Sequence, residues 1–354
     1  MSDPPATSGP DEGSLTGGSL TGAGLIVAMG PVDAVVGERL KPFGAMVEVG
    51  RQGTTIDALL PDAIALIARG NSVVDRSVIS AAPRLAVIGR SGIGVELVDL
   101  VAASERAIPV VVTPRAGTNA VAEGALAQIL HLVKRLGPLT TLVREGRWAE
   151  RESVELGDLD GATLGIVGLG RIGRRLAELC SVLGMRILAY DPYANAADAA
   201  ELRVELTDLA TLAESADVIS LHAPLTPETR HLVDAAFLAR VRPGAILVNC
   251  GRGGLVDLAA VHVALLDGRL SGVGLDVYEP EPPAPAGHPI FGHPAVVLTP
   301  HVLGLSRSGR RRTFEDMADG MAAVLAGGRA PDIANPEIYR RAPSGRDDDL
   351  GGLA

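Results

Sequence analysis

TLGIVGLGRIGRRLAELCSVLGMRILAYD, residues 163–191, is the stretch that decides the fold. Leu164 to Val167 form an apolar run of strand length, and Gly168-Leu169-Gly170-Arg171-Ile172-Gly173 follows it. Ile172, Leu176, Leu179, Cys180 and Leu183 then recur at three- and four-residue steps, the period of an amphipathic helix. Gly184 stands where a helix C-cap is expected, a second apolar run covers Met185 to Ala189, and Asp191 comes next. A strand, a glycine turn, a helix and a second strand ending in an acid make a dinucleotide-binding unit. Gly168 permits the tight turn, Gly170 lets a pyrophosphate approach the backbone, and Gly173 lets the helix pack on the strand. The helix N-terminus offers free N–H groups and a partial positive charge to the phosphates. Asp191 is placed to accept hydrogen bonds from ribose hydroxyls and to repel a 2′-phosphate, which favours NAD over NADP.

Outward from this stretch, strands alternate with helices. Strands are expected at Leu25–Met29, Ala45–Val49, Ala63–Ala68, Leu85–Ile88 and Val110–Thr113. Between them, helices are expected at 32–40, from 56 to 60 as a helix start, at 74–82 and at 97–106. Long helices from Ala120 to Leu136 and on through Arg147 lead to a second sheet. It starts at Leu164 and continues with Met185–Ala189, Val218–Leu221, Ala245–Asn249, Gly272–Val277 and Val296–Leu298. Helices are expected at 206–214, 234–240, 256–266 and 313–325. The alternation implies two doubly wound parallel-sheet domains of the α/β class. A Rossmann-type cofactor domain over 119–307 is inserted into a flavodoxin-like substrate domain made of 25–118 and 308–340. Tails at 1–24 and 341–354 read as disordered by composition. A cleft between the two domains is where cofactor and substrate are expected to meet.

Composition bounds the function. The 354 residues suffice for two domains, and a net charge of −10 argues against a nucleic-acid or anionic-membrane partner. Lys41 and Lys134 are the only lysines, and no G-x-x-x-x-G-K-[ST] occurs, so Schiff-base and P-loop chemistry have little to work with. Cys180 and Cys250 are the only cysteines; they make neither a disulfide framework nor a zinc site, and a reducing, cytoplasmic setting fits. No metal is expected: His288 and His293 lack partners at zinc spacing. The N-terminus has no charged n-region or apolar h-region, so no signal peptide is expected. No apolar run reaches membrane-spanning length.

Three later segments each follow an apolar strand and so lie at a strand's carboxyl end, where open α/β sheets bind ligands. They are VNCGRGGLVD at 248–257, GLDVYEPEP at 274–282 and LTPH at 298–301. With Glu155-Leu156-Gly157 and LHAPLT at 221–226, they make the chain, over roughly residues 25 to 340, resemble the D-isomer-specific 2-hydroxyacid dehydrogenases, including phosphoglycerate dehydrogenase-like members.

The resemblance implies a hydride exchange between NAD and a small 2-hydroxy or 2-keto acid, with roles at matching positions. Arg252 corresponds to the arginine that clamps the substrate, His301 to the general acid/base, and Glu281 to the carboxylate that pairs with it; Glu279 is a near competitor. Gly168, Gly170, Arg171, Ile172, Gly173, Asp191, Pro224, Thr229, Cys250, Gly251, Arg252, Asp276, His301 and Gly304 match cofactor-contact positions. Arg69, the turn Ser91-Gly92-Ile93-Gly94, Arg252 and His301 match substrate contacts. The chemistry agrees: a histidine near neutral pKa moves the proton, and a guanidinium suits a planar carboxylate.

One departure stands out. An asparagine common in the family is replaced by Gly117, with Asn119 two residues on. His222 reads as structural, and Trp148 as pinning the crossover. Loops at Gly50–Thr54, Arg69–Asn71 and Gly287–Gly292 shape substrate choice. A two-fold homodimer is expected through the 120–136 helix. The extra regulatory domains of some phosphoglycerate dehydrogenases are not expected. Two rivals remain: an NADH-sensing corepressor-like scaffold on the same fold, and formate dehydrogenase, whose extended N-terminal domain has no counterpart here.

Overall fold

The computed structural model describes residues 24–50, 55–284 and 287–340. The tails expected to be disordered, 1–24 and 341–354, lie outside them except for Gly24, which is the first residue of a strand. Two compact units divide the chain, one made of Met1–Val112 with Met317–Ala354 and the other of Thr113–Asp316.

In the first unit, β1 (Gly24–Ala28), α1 (Ala34–Leu40), β2 (Gly44–Glu48), β3 (Ala63–Ala68), α2 (Arg76–Ala81), β4 (Val87–Arg90), α3 (Leu100–Glu105) and β5 (Val110–Val111) follow in order. The strands form one parallel sheet in the order β2-β1-β3-β4-β5, the flavodoxin-like winding. Strands buried on both faces read as unbroken apolar runs, and Ala63–Ala68 is such a run. The helix start expected over 56–60 is instead a set of turns and a short 3-10 turn at Leu60–Asp62, where Pro61 supplies no N–H for a longer helix.

The second unit opens with α4 (Thr118–Val133) and α5 (Leu136–Arg144) and then a 3-10 segment at Trp148–Ser153. Its sheet is built from β6 (Thr163–Val167), α6 (Arg171–Val182), β7 (Arg186–Tyr190), α7 (Ala196–Glu201), β8 (Val204–Leu206), α8 (Leu209–Ser215) and β9 (Val218–Leu221). It continues through α9 (Ala235–Arg240), β10 (Ala245–Asn249), α10 (Leu258–Leu266), β11 (Leu270–Leu275) and β12 (Val296–Leu298); α11 (Arg307–Leu325) begins in this unit and from Met317 belongs to the first. Seven parallel strands run in the order β12-β11-β10-β9-β6-β7-β8. Winding reverses between β6 and β9, the switch point where a doubly wound sheet takes its ligand.

Side chains alternate across the sheet. Ile246 and Val248 of β10 face α4 and α6, whereas Ala245 and Leu247 face α8, α9 and α10. The edge strand β8 and helix α7 were not expected. In β8 only Val204 is buried, Glu205 is exposed and Leu206 half-buried, so no apolar run marks it. Among the described residues, no helix is long and apolar enough to cross a membrane.

Burial narrows one expectation and corrects another. Ala122, Ala125, Ile129, Leu132 and Val133 of α4 pack into the core of their own unit, so a second copy would meet a different face of this helix. The exposed apolar side chains lie further on, at Leu136, Val143, Trp148 and Leu156. Trp148 is 65% exposed with Arg151 over its ring, and does not pin the crossover.

Candidate active site

The glycine turn bends the chain from β6 into α6. Gly168 sits at φ +95, and a Cβ there would come within 2.7 Å of Ala223 N and 2.8 Å of His222 C. This position therefore needs glycine both for its torsion and for the approach of the β9 end. A Cβ on Gly173 would meet Gly168 O at 2.2 Å, so α6 and the turn touch backbone to backbone. At Gly170 a Cβ would find nothing within 4 Å. Gly170 alone of the three leaves open space, and it is the N-cap of α6 with no side-chain cap.

That bare cap, shared with α4 and α5, contrasts with seven other helices. Helices α1, α2, α3, α7, α8, α9 and α10 each carry an aspartate or asparagine whose side chain accepts a first-turn N–H. At α6 no side-chain cap takes the first-turn N–H groups, which keep their capacity for an anion. Arg171 on that first turn is exposed and Ile172 half-buried. Asp191 tightens the arrangement: Oδ2 accepts the Leu169 N–H at 2.8 Å and Oδ1 accepts the Tyr193 N–H at 2.9 Å. These residues suit a dinucleotide: open backbone for the pyrophosphate, and a fixed carboxylate with lone pairs left for ribose hydroxyls.

Farther along the same edge, the loops after β9, β10, β11 and β12 carry the other candidates. Thr229 Oγ1 donates to the Pro224 carbonyl at 2.7 Å and accepts the Thr226 N–H at 2.7 Å, which holds the Pro224–Thr229 turn. Asn249, fully buried, accepts the Gly251 N–H and donates to the Arg252 carbonyl, which ties down the loop of Cys250, Gly251 and Arg252. A Cβ on Gly253 would overlap the Tyr278 carbonyl at 2.0 Å, so the Arg252 loop abuts the segment that carries Glu281. Burial raises the Cys250 thiol pKa, and raises that of Cys180 to about 12.

His301 Nδ1 lies 2.7 Å from Glu281 Oε2, and Glu281 Oε1 accepts the Tyr278 N–H at 3.0 Å. Glu279, the competitor, is taken by Arg230 at 2.7 and 2.9 Å. His301 has φ +52; its N–H donates to the Asp276 carbonyl at 2.8 Å, and the Val302 N–H donates to Asp276 Oδ1 at 3.1 Å. Burial raises the Asp276 pKa, opposed first by the Thr299 hydroxyl that donates to it. Gly304 lies three residues on, half-buried against Val121.

The substrate-contact candidates of the first unit lie at the ends of β3 and β4. Arg90 bridges the two loops, donating to the Gly70 carbonyl and the Gly94 carbonyl at 2.8 Å each. Arg69 is half-buried, with its N–H on Ser72; Ser91, Gly92 and Gly94 are half-buried and Ile93 exposed. Of the loops expected to shape the pocket, residues 51–54 lie outside the described ones.

Asn119 has its amide committed, donating to Glu123 and accepting from Arg175 Nε at 2.8 Å. Sequence reading missed Arg90, Asn249 and Gln128. The last had a signal: it is the one amide on the apolar stripe of α4.

The NAD-binding-domain model of the D-isomer specific 2-hydroxyacid dehydrogenases matches residues 126–302. The chain is 38% identical over 310 residues to the D-3-phosphoglycerate dehydrogenase of Mycobacterium bovis, covering 85% of this chain but only 58% of that protein. It is 38% identical over 287 residues to the glyoxylate reductase of Korarchaeum cryptofilum, covering 80% of this chain and 86% of that one. Among solved structures, the TT0316 protein of Thermus thermophilus superposes with a TM-score of 0.80 at 34% identity, over 88% of this chain and 99% of that one.

Proposed function

Because the chain belongs to the D-isomer specific 2-hydroxyacid dehydrogenase family, we propose that it is an NAD-dependent oxidoreductase interconverting a small D-2-hydroxy acid and its 2-keto acid. The observation that carries this reading is the 2.7 Å His301–Glu281 pair, standing on the same strand edge as the uncapped N-terminus of α6.

When bound, the nicotinamide supplies the hydride in reduction and takes it back in oxidation. Gly168, Gly170, Arg171, Ile172 and Gly173 hold the pyrophosphate through backbone N–H groups and the helix end. Asp191 accepts the ribose hydroxyls and, by like charge, disfavours NADP. Pro224, Thr229, Cys250, Gly251, Asp276 and Gly304 line the rest of the cofactor path.

His301 is the general acid/base. Glu281 accepts the Nδ1–H, which leaves Nε2 to give a proton to the carbonyl oxygen in reduction and recover it from the hydroxyl in oxidation. The same carboxylate fixes the orientation of the ring. Arg252 clamps the substrate's carboxylate. Arg69 and the turn Ser91, Gly92, Ile93 and Gly94 are assigned to the same small acid. The exposed apolar residues Leu136, Val143, Trp148 and Leu156 support a homodimer. Two buried, free thiols support work in a reducing, cytoplasmic compartment.

The test is the purified chain with NADH and glyoxylate, hydroxypyruvate, pyruvate, phosphohydroxypyruvate and bulkier 2-keto acids, followed by NADH absorbance. At least one acid is expected to turn over. His301→Ala is expected to lower kcat by about 10²–10⁴ with NADH affinity nearly unchanged. NADH binding without turnover of any acid is the behaviour of a sensing scaffold and overturns the proposal.

A further inference from the structure

Helix α4 turns Ala122, Ala125, Ile129 and Leu132 to the sheet, and Gln128, 4% exposed, sits in the same stripe. An amide in such a place is costly unless it is bonded. Gln128 Nε2 donates to Thr299 Oγ1 at 3.2 Å, and Oε1 lies 4.0 Å from Cys250 Sγ. The facing strand makes room for it: a Cβ on Gly274 would come within 2.5 Å of Gln128 Oε1.

Thr299 has one hydroxyl proton, and it goes to Asp276 Oδ1 at 2.6 Å. The direction of each bond is thereby set, from the Gln128 amide to the Thr299 hydroxyl to the Asp276 carboxylate. Bonds in such a chain polarise and strengthen one another. Asp276, 2% exposed, in turn holds the N–H of His301 through its carbonyl and that of Val302 through its carboxylate. These two bonds flank a residue in the left-handed region, φ +52, which a non-glycine residue keeps only when its surroundings impose it. On its other side the imidazole is held by Glu281.

We propose that Gln128 is a positioning residue for His301, acting through Thr299 and Asp276. This rests on the acid/base role given above to His301 for its kinetic readout, but not for its structural one. An amide that merely satisfies itself in a core would not need a hydroxyl and a buried carboxylate in line behind it, ending on the N–H of Val302, the residue next to the proposed acid/base.

The experiment compares Gln128→Leu, Thr299→Val, Thr299→Ser and the double variant Gln128→Leu/Thr299→Val. Amide hydrogen exchange at His301 and Val302 is expected to quicken about tenfold in Gln128→Leu while the β10 amides keep their wild-type rates. In the same variant kcat falls about tenfold and KM for the 2-keto acid changes little. The double variant is no worse than Thr299→Val, and Thr299→Ser retains more activity than Thr299→Val. Additive losses overturn the proposal, as do unchanged exchange at His301 and Val302 or a rise spread over β10 and β11 alike. A wild-type protein without turnover defeats the redox reading instead, and the exchange measurement still decides the role of Gln128.

Discussion

Gly170→Ala separates binding from folding more cleanly than any other change at the site. Gly170 has extended torsions, φ −74 and ψ −163, that any residue adopts, and a Cβ there meets no atom within 4 Å. As an N-cap, alanine costs about 0.5–1 kcal/mol. Stiffening the unfolded chain offsets this by about 0.4–1 kcal/mol. Stability should therefore move by less than about 1 kcal/mol, or about 2–4 °C in Tm for a unit of this size. The methyl group does, however, fill the space through which a phosphate approaches the first turn of α6. Charge-assisted hydrogen bonds lost there are worth about 1.5–3 kcal/mol, so the Kd for NADH should rise about 10–150-fold. The assay is a thermal melt beside an NADH fluorescence titration. Gly173→Ala is the control: its Cβ would sit 2.2 Å from Gly168 O, a backbone atom, and overpacking of about 1–3 kcal/mol should lower Tm by several degrees. If Gly170→Ala melts like Gly173→Ala, or binds NADH like wild type, the reading of the turn is wrong.

Two further outcomes follow from the same geometry. The Glu281–His301 pair is partly exposed, its side chains retaining 30% and 51% of their accessible surface, so solvent screening puts Glu281→Gln at the low end of a charge-assisted bond: kcat down about tenfold, NADH Kd nearly unchanged. In His222, Nε2 lies 2.9 Å from Ser220 Oγ, Nδ1 is buried without a partner, and burial lowers the pKa from 6.5 to about 4. Between those values the unfolded chain binds the proton and the folded one does not, so stability is full above pH 6.5 and is lost as pH falls toward 4. The loss amounts to about 3 kcal/mol. Urea unfolding at about pH 7 and again near pH 4.5 should show this slope in wild type and a flatter one in His222→Gln; equal slopes would remove His222 as the cause.

The fold was legible wherever burial leaves a mark on the chain. Four of the five strands of the first sheet are buried or half-buried throughout, β2 alone exposing a residue, Met46, and the turn at 168–173 announces β6, α6 and β7 together. The edge strand β8 left no mark, since an edge exposes every other residue and Val204–Leu206 is only three residues long. The site was legible in its residue types but not in its pairings. Glu279 and Glu281 are alike in sequence, and only the fold gives one to Arg230 and the other to His301. Periodicity made α4 apolar without telling whether its stripe meets the sheet or a second molecule; Ile129 and Leu132 in the core decide it. The same periodicity hid Gln128, whose partner Thr299 lies 171 residues away.

The central claim is that this chain moves a hydride directly between a nicotinamide and C2 of a small acid, with His301 moving the proton. NADH carrying deuterium at the transferable C4 position, incubated with the chain and its best 2-keto acid in ordinary water, tests it most directly. One deuterium on C2 of the D-2-hydroxy acid is the predicted product, its yield collapsing with His301→Ala. Unlabelled product, the L-isomer, or an undiminished rate in His301→Ala would contradict the account.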